Sequence, residues 1–127
     1  MQKNIILFVD DEKICHTLVE LIIPNFTQFK LVGAFNSAEA INLAERYASS
    51  LALVLTDIML PDLNGYELYD ELKSRDQFKD VPFIFQSGLT SQEEELKKHV
   101  GADPHILYKP YSQQDLLNLI NKVTKRN

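Results

Sequence analysis

Residues 51–65 read LALVLTDIMLPDLNG. An apolar run from Leu51 to Thr56 fits a strand, and it ends on the acid Asp57. A loop with Pro61 follows and stops at Gly65, after which Tyr66, Leu68, Tyr69 and Leu72 take up helical spacing. Comparable apolar runs lie on either side, at Asn4 to Val9, Lys30 to Phe35, Val81 to Gln86 and His105 to Tyr108. The chain therefore offers five strands.

Segments with helical periodicity fill the gaps. Ile14, Leu18, Leu21 and Ile22 share one face of a first helix that Pro24 is expected to end. Ile41, Ala44 and Ala48 mark a second helix, and the one after Gly65 is the third. Leu96 and Val100 sit beneath the acidic first turn of a fourth, where Ser91 and Glu94 make a capping-box pattern. The spacing of Glu93 to Lys97 and of Glu94 to Lys98 suits paired charges on a solvated face. A fifth begins near Ser112, with Asp115 three residues on, and is expected to bury Leu116, Leu119, Ile120 and Val123.

With 127 residues and 45% hydrophobic content, the chain is expected to form one domain over residues 1–127 without staples. A net charge of −5 argues against direct nucleic-acid binding, which calls for a basic patch. The run from Ile5 to Val9 is too short for a signal-peptide core or a membrane span, so a cytoplasmic protein without membrane contact is expected. Cys15, the one cysteine, has no second thiol for a disulfide or metal pair and reads as a small core residue.

Strict alternation of strand and helix implies right-handed crossovers and a parallel sheet covered on both faces. Five such strands fit a doubly wound α/β fold of the flavodoxin-like kind, strand order 2-1-3-4-5 with five helices. Ligands of such sheets bind beyond the carboxyl ends of the strands, here near the switch between strands one and three. Asp10 and Asp11 end the first strand, Asp57 the third, Ser87 the fourth, and Lys109 with Pro110 the fifth. Each alone has an ordinary explanation in capping or solvated surface. Their convergence on one pocket does not.

Three ionised carboxylates packed together repel unless a cation joins them. Oxygen-only ligands favour Mg²⁺ or Mn²⁺ over zinc. An ion beside Asp57 would neutralise an incoming phosphoryl group. Lys109 supplies a point charge for a phosphate oxygen and Ser87 a hydrogen bond for another, while Gly88 leaves room for close approach.

These residues together resemble the receiver domains of bacterial two-component response regulators, and the match runs the length of the chain. It is carried by the acidic pair in FVDDE, by LVLTDIMLPDLNG with Asp57, Pro61 and Gly65, by Ser87-Gly88, and by Lys109-Pro110. The resemblance implies a phosphoacceptor signalling domain rather than an enzyme acting on other substrates. Asp57 would take a phosphoryl group from the phosphohistidine of a sensor histidine kinase or histidine phosphotransfer protein. Asp11, Asp57 and the Met59 carbonyl would ligate Mg²⁺ directly and Asp10 through water, while Lys109 and Ser87 hold the phosphate. Output to a downstream protein or effector domain would run through the fourth helix, fifth strand and fifth helix. Family members commonly carry Tyr or Phe three residues before the lysine, where this chain has Ile106. The segment from Gly101 to Lys109 is also one residue longer. His105 and Tyr108 are expected in surface or packing roles, as are His16 and His99, placed on helices away from the strand ends. Met59 and Leu89 flank the site with apolar side chains, which implies slow loss of the phosphoryl group.

Phosphatases of the haloacid-dehalogenase type also use an aspartyl nucleophile, but within D-x-D, whereas Asp57 is followed by Ile58 and Met59. A flavin carrier would need a hydroxyl-rich phosphate loop where this chain has DDEK. A docking module of the same fold that works without phosphate is the remaining alternative.

Overall fold

The computed structural model describes residues 3–88 and 93–125. Five strands, β1 (Ile5–Val9), β2 (Lys30–Ala34), β3 (Leu51–Asp57), β4 (Phe83–Ser87) and β5 (His105–Tyr108), alternate with α1 (Lys13–Phe26), α2 (Ser37–Arg46), α3 (Gly65–Lys73), α4 (Glu93–Val100) and α5 (Gln113–Thr124). The strands pair in parallel in the order β2-β1-β3-β4-β5, the expected doubly wound arrangement. The register aligns their carboxyl ends: Val9 lies beside Ala34 and Thr56, Asp57 beside Gln86, and Ser87 beside Tyr108.

Side chains alternate across the sheet, so each strand feeds two cores. Leu7, Val9, Val54, Phe83 and Phe85 pack with Leu68, Leu72 and Leu96 on one face. Ile6, Phe8, Leu53, Leu55 and Ile84 pack with Val19, Ile23, Leu116 and Ile120 on the other. The fifth helix matches its expectation: Leu116 and Ile120 are buried, Leu119 and Val123 half-buried, and Ser112 and Asp115 form a capping box. In α2, Ala40 and Ala44 are buried, whereas Ala48 falls in a separate short turn, Ala48–Ser50.

The first helix departs from its expectation in two ways. Ile14, Leu18 and Leu21 are 75%, 49% and 61% exposed, and the buried face is His16, Val19, Ile22 and Ile23. Both faces are apolar, so periodicity identifies the helix without deciding which stripe meets the sheet. Pro24 also lies inside the last turn rather than ending the helix. There Asn25 Nδ2 donates to the Leu21 carbonyl, and the Thr27 N–H donates to that of Ile23.

The loop after β3 is clamped to α2. Asp62 Oδ1 and Oδ2 accept the Ser37 and Ala38 N–H groups at 2.9 and 3.0 Å, and Ser37 Oγ donates to the Leu63 carbonyl. Those N–H groups belong to a helix start, where a carboxylate is favoured. On α4, Lys97 pairs with Glu93 as expected, whereas Lys98 turns to Glu95 rather than Glu94. Ser91 lies outside the described residues, as does Leu89.

Candidate functional site

The aligned strand ends bring Asp10, Asp57 and Ser87 into one buried group. Asp11 is exposed beside them, and one carboxylate oxygen each from Asp10, Asp11 and Asp57 can be chosen so that all lie within 4.8 Å of one another. Lys109 reaches in from the end of β5, its Nζ 3.0 Å from Asp57 Oδ2 and 3.2 Å from Asp10 Oδ2. Backbone bonds fix these positions: the Lys109 N–H donates to the Ser87 carbonyl, the Ile58 N–H to that of Gln86, and the Asp10 N–H to that of Ala34. The second oxygen of Asp57 accepts the Met59 N–H at 3.2 Å. Met59 itself is 56% exposed.

Gly65 approaches this backbone closely. A β-carbon there would stand 2.5 Å from the Asp57 carbonyl oxygen, so only a glycine lets α3 begin so near the strand end.

Burial raises the Asp57 pKa, with Asp10 adding to it, against the opposing pull of Lys109 and the Met59 N–H. For Lys109 burial acts to lower the pKa, but hydrogen bonding and attraction from Asp57 and Asp10 outweigh it and the ammonium is held more firmly. One ammonium against three carboxylates leaves the cluster net negative. The oxygen-only donor set with an exposed acid at its mouth fits a hard divalent cation such as Mg²⁺ or Mn²⁺. Asp10, Glu12 and Cys15 also lie close together. Burial and then Asp10 push the Cys15 thiol up to about 11, however, so it stays protonated and is a poor ligand.

The family model for the response regulator receiver domain matches residues 6–121. The chain belongs to the response regulator receiver domain family. This receiver domain is 31% identical over 126 residues to the response regulator SaeR of Staphylococcus aureus, covering 95% of the chain and 50% of SaeR. It is 30% identical to the probable transcriptional regulator ycf29 of Pyropia yezoensis over 127 residues, all of the chain and 55% of that protein. The receiver domain thus spans about half the length of these relatives. Among solved structures, the chemotaxis response regulator CheY4 of Vibrio cholerae superposes with a TM-score of 0.83 at 24% identity, over 94% of this chain and 98% of that one. The receiver domain of sensor histidine kinase PA1611 from Pseudomonas aeruginosa PAO1, solved with a magnesium ion coordinated in its active site cleft, gives 0.84 at 22% identity over 96% and 98%. These two share the fold. Receiver domains typically bind Mg²⁺, and the acidic cluster here could hold it.

Of the residues singled out in the sequence, Asp10 and Asp57 meet Lys109 directly, Asp11 brings a carboxylate oxygen within 4.8 Å of one from each acid, and Ser87 is buried at the end of the neighbouring strand. His16 is not away from the strand ends as expected. Its ring is buried between Phe8 and Phe35, and Nε2 donates to the Asp10 carbonyl at 2.8 Å. His99 packs on Tyr66 and bonds Asp70 on α3. Ile106 is half-buried in the core beside α4, while Tyr108 donates its hydroxyl to Glu93 Oε2 at 2.6 Å. Gln86 and Tyr111 join the site without belonging to any of the motifs that mark it in the sequence. Gln86 Nε2 donates to Asp10 Oδ2 at 2.6 Å, and the Tyr111 hydroxyl donates to Gln86 Oε1 at 2.8 Å. The available signal was an amide at an interior strand position after Phe83, Ile84 and Phe85.

No helix among the described residues is long and apolar enough to cross a membrane.

Proposed function

We propose that residues 1–127 form a cytoplasmic phosphoacceptor domain in which Asp57 takes the phosphoryl group from a phosphohistidine. The observation that supports this most is Lys109 Nζ bridging Asp57 and Asp10 while Asp11 has a carboxylate oxygen within 4.8 Å of one from each. In the transfer, a carboxylate oxygen of Asp57 forms a bond to phosphorus as the phosphorus–nitrogen bond breaks, and the imidazole leaves with that electron pair. The burial of Asp57 limits the access of bulk water, and the Met59 N–H orients its carboxylate. Lys109 is within reach of a phosphoryl oxygen on Asp57, and Ser87 stands at the adjoining strand end to receive another. Asp11, Asp57 and the Met59 carbonyl would hold Mg²⁺, with Asp10 acting through water. Bound there, the ion supplies charge neutralisation for the transferring group.

The donor is a sensor histidine kinase or a histidine phosphotransfer protein. The exposed Ile14, Leu18 and Leu21 on α1, beside the site, offer it an apolar docking face. Output runs through α4, β5 and α5 to a downstream protein or effector domain, and the Tyr108–Glu93 bond ties the end of β5 to the start of α4. The test is intact mass after incubation with acetyl phosphate and Mg²⁺. One added phosphoryl group in wild type and none in Asp57→Ala is expected. Equal labelling of the variant refutes the assignment, and no labelling of wild type with either a small donor or a phosphorylated histidine protein favours a phosphate-independent docking module.

A further inference from the structure

Asp10 is held by more donors than a residue that merely contributes charge would require. Its Oδ1 accepts the Glu12 N–H at 2.9 Å. Its Oδ2 accepts both Lys109 Nζ and Gln86 Nε2, the latter at 2.6 Å. A carboxylate offers about four lone-pair sites, so these three donors leave little beyond one direction for a further partner. Gln86 is fully buried, and an amide there is costly unless bonded at both ends. It is bonded at both. A carboxylate only accepts, so Nε2 must face Asp10 and Oε1 must face Tyr111. Tyr111 must then donate, and burial, pushing its phenol up to about 12, keeps that proton in place.

We infer that Gln86 is a positioning residue for the cation site, that it fixes the Asp10 carboxylate, and that Tyr111 locks the amide in the orientation this needs. The inference rests on the proposed phosphoacceptor function. It deepens it by distinguishing the two donors on Asp10 Oδ2. Lys109 is shared between Asp10 and Asp57, and a phosphoryl group on Asp57 competes for it. Gln86 has no such competitor. When Lys109 turns to phosphate, the amide keeps Oδ2 bonded and the carboxylate aimed. Tyr111 lies just ahead of α5, so the orientation of the cation site is linked to the start of that helix.

The experiment is Mg²⁺ titration of the full chain by calorimetry, with wild type, Gln86→Met and Tyr111→Phe compared, and thermal melts as a check on folding. Methionine keeps the length and bulk of Gln86 without its donor. Gln86→Met is expected to weaken Mg²⁺ binding about fivefold, less than the loss of a partner directly behind a metal ligand, because Asp10 reaches the ion through water. Tyr111→Phe, which leaves the amide present but unlocked, is expected to weaken it about threefold. In wild type the Gln86 side-chain NH₂ resonances should shift as Mg²⁺ is added. If Gln86→Met does not fold, Tyr111→Phe and those resonances decide the matter. Mg²⁺ affinity in a folded Gln86→Met equal to or tighter than wild type overturns the inference alone, as do unmoved resonances together with unchanged affinity in Tyr111→Phe. A wild-type chain that binds no Mg²⁺ overturns the proposed function and this inference together.

Discussion

Replacing Gly65 with alanine probes how tightly the backbone at residue 57 is held. The added β-carbon would stand 2.5 Å from the Asp57 carbonyl oxygen and 3.0 Å from Ile58 Cα, whereas carbon–oxygen contacts ordinarily begin at about 3.3 Å. The shortfall is therefore about 0.8 Å. Both neighbours are backbone, so no side-chain rotation can relieve it. Nor can α3 simply withdraw, because the Gly65 N–H donates to the Ile58 carbonyl at 2.7 Å. Overpacking of this kind costs about 1–3 kcal/mol, and the lower unfolded-state entropy of alanine offsets about 0.4–1 kcal/mol of it. A net loss of about 1–2 kcal/mol in urea unfolding follows. The effect on chemistry should be larger in proportion. Displacing the acceptor by nearly 1 Å relative to Lys109 is expected to slow phosphorylation by acetyl phosphate about 10²-fold. The assay is the rate of mass gain at saturating Mg²⁺ on protein shown to be folded by circular dichroism. A Gly65→Ala chain that is as stable and as fast as wild type would refute the reasoning, since the close approach would then carry no constraint.

Three further outcomes are expected. Beryllium fluoride, as a phosphoryl mimic, should shift amide resonances along α4 and at Tyr108 in wild type but not in Ser87→Ala; equal shifts in both would show that the hydroxyl is not the trigger. Combining Met59→Asn with Leu89→Glu gives the site groups that can hold a water behind phosphorus, so the phosphorylated variant should decay faster than wild type after donor removal, and equal decay would leave these residues with packing roles only. Asp62→Ala removes the carboxylate part of the clamp on α2 and should cost about 1 kcal/mol at neutral pH, near the lower end for a cap because the carboxylate is exposed. Although burial acts to raise the Asp62 pKa, the Ser37 and Ala38 N–H groups hold it below its ordinary value. The clamp is therefore fully present above the unfolded-state pKa and is lost as pH falls through the depressed one. The stability gap between wild type and variant should close over that acid range, and a gap independent of pH would rule the charge out as its source.

The strand order and the gathering of Asp10, Asp11, Asp57 and Lys109 were legible because β-runs and acids at their ends are local signals. A doubly wound sheet turns those local signals into one place. The packing phase of α1 was only partly legible: Ile14, Leu18, Leu21 and Ile22 read as one face, but of these only Ile22 is buried, beside Val19 and Ile23, and the tertiary fit makes that choice. His16 was misplaced for the same reason: its turn of the helix faces inward only once that phase is set. Gln86 and Tyr111 escaped notice because 25 residues separate them and neither belongs to a motif. Their bond exists only where the end of β4 and the segment leading into α5 lie side by side.

The outward stripe on α1 also bears on how the molecule behaves in concentrated solution. Three large aliphatic side chains facing water offer two copies an apolar surface to share, and the net charge of −5 opposes their approach. That repulsion acts over about a Debye length, roughly 10 Å at 0.1 M salt and about 3 Å at 1 M, while the apolar attraction between stripes does not weaken as salt is added. Any self-association along this stripe should therefore respond to salt in the opposite sense from one held together by ion pairs: it is expected to strengthen, not weaken, as salt is added.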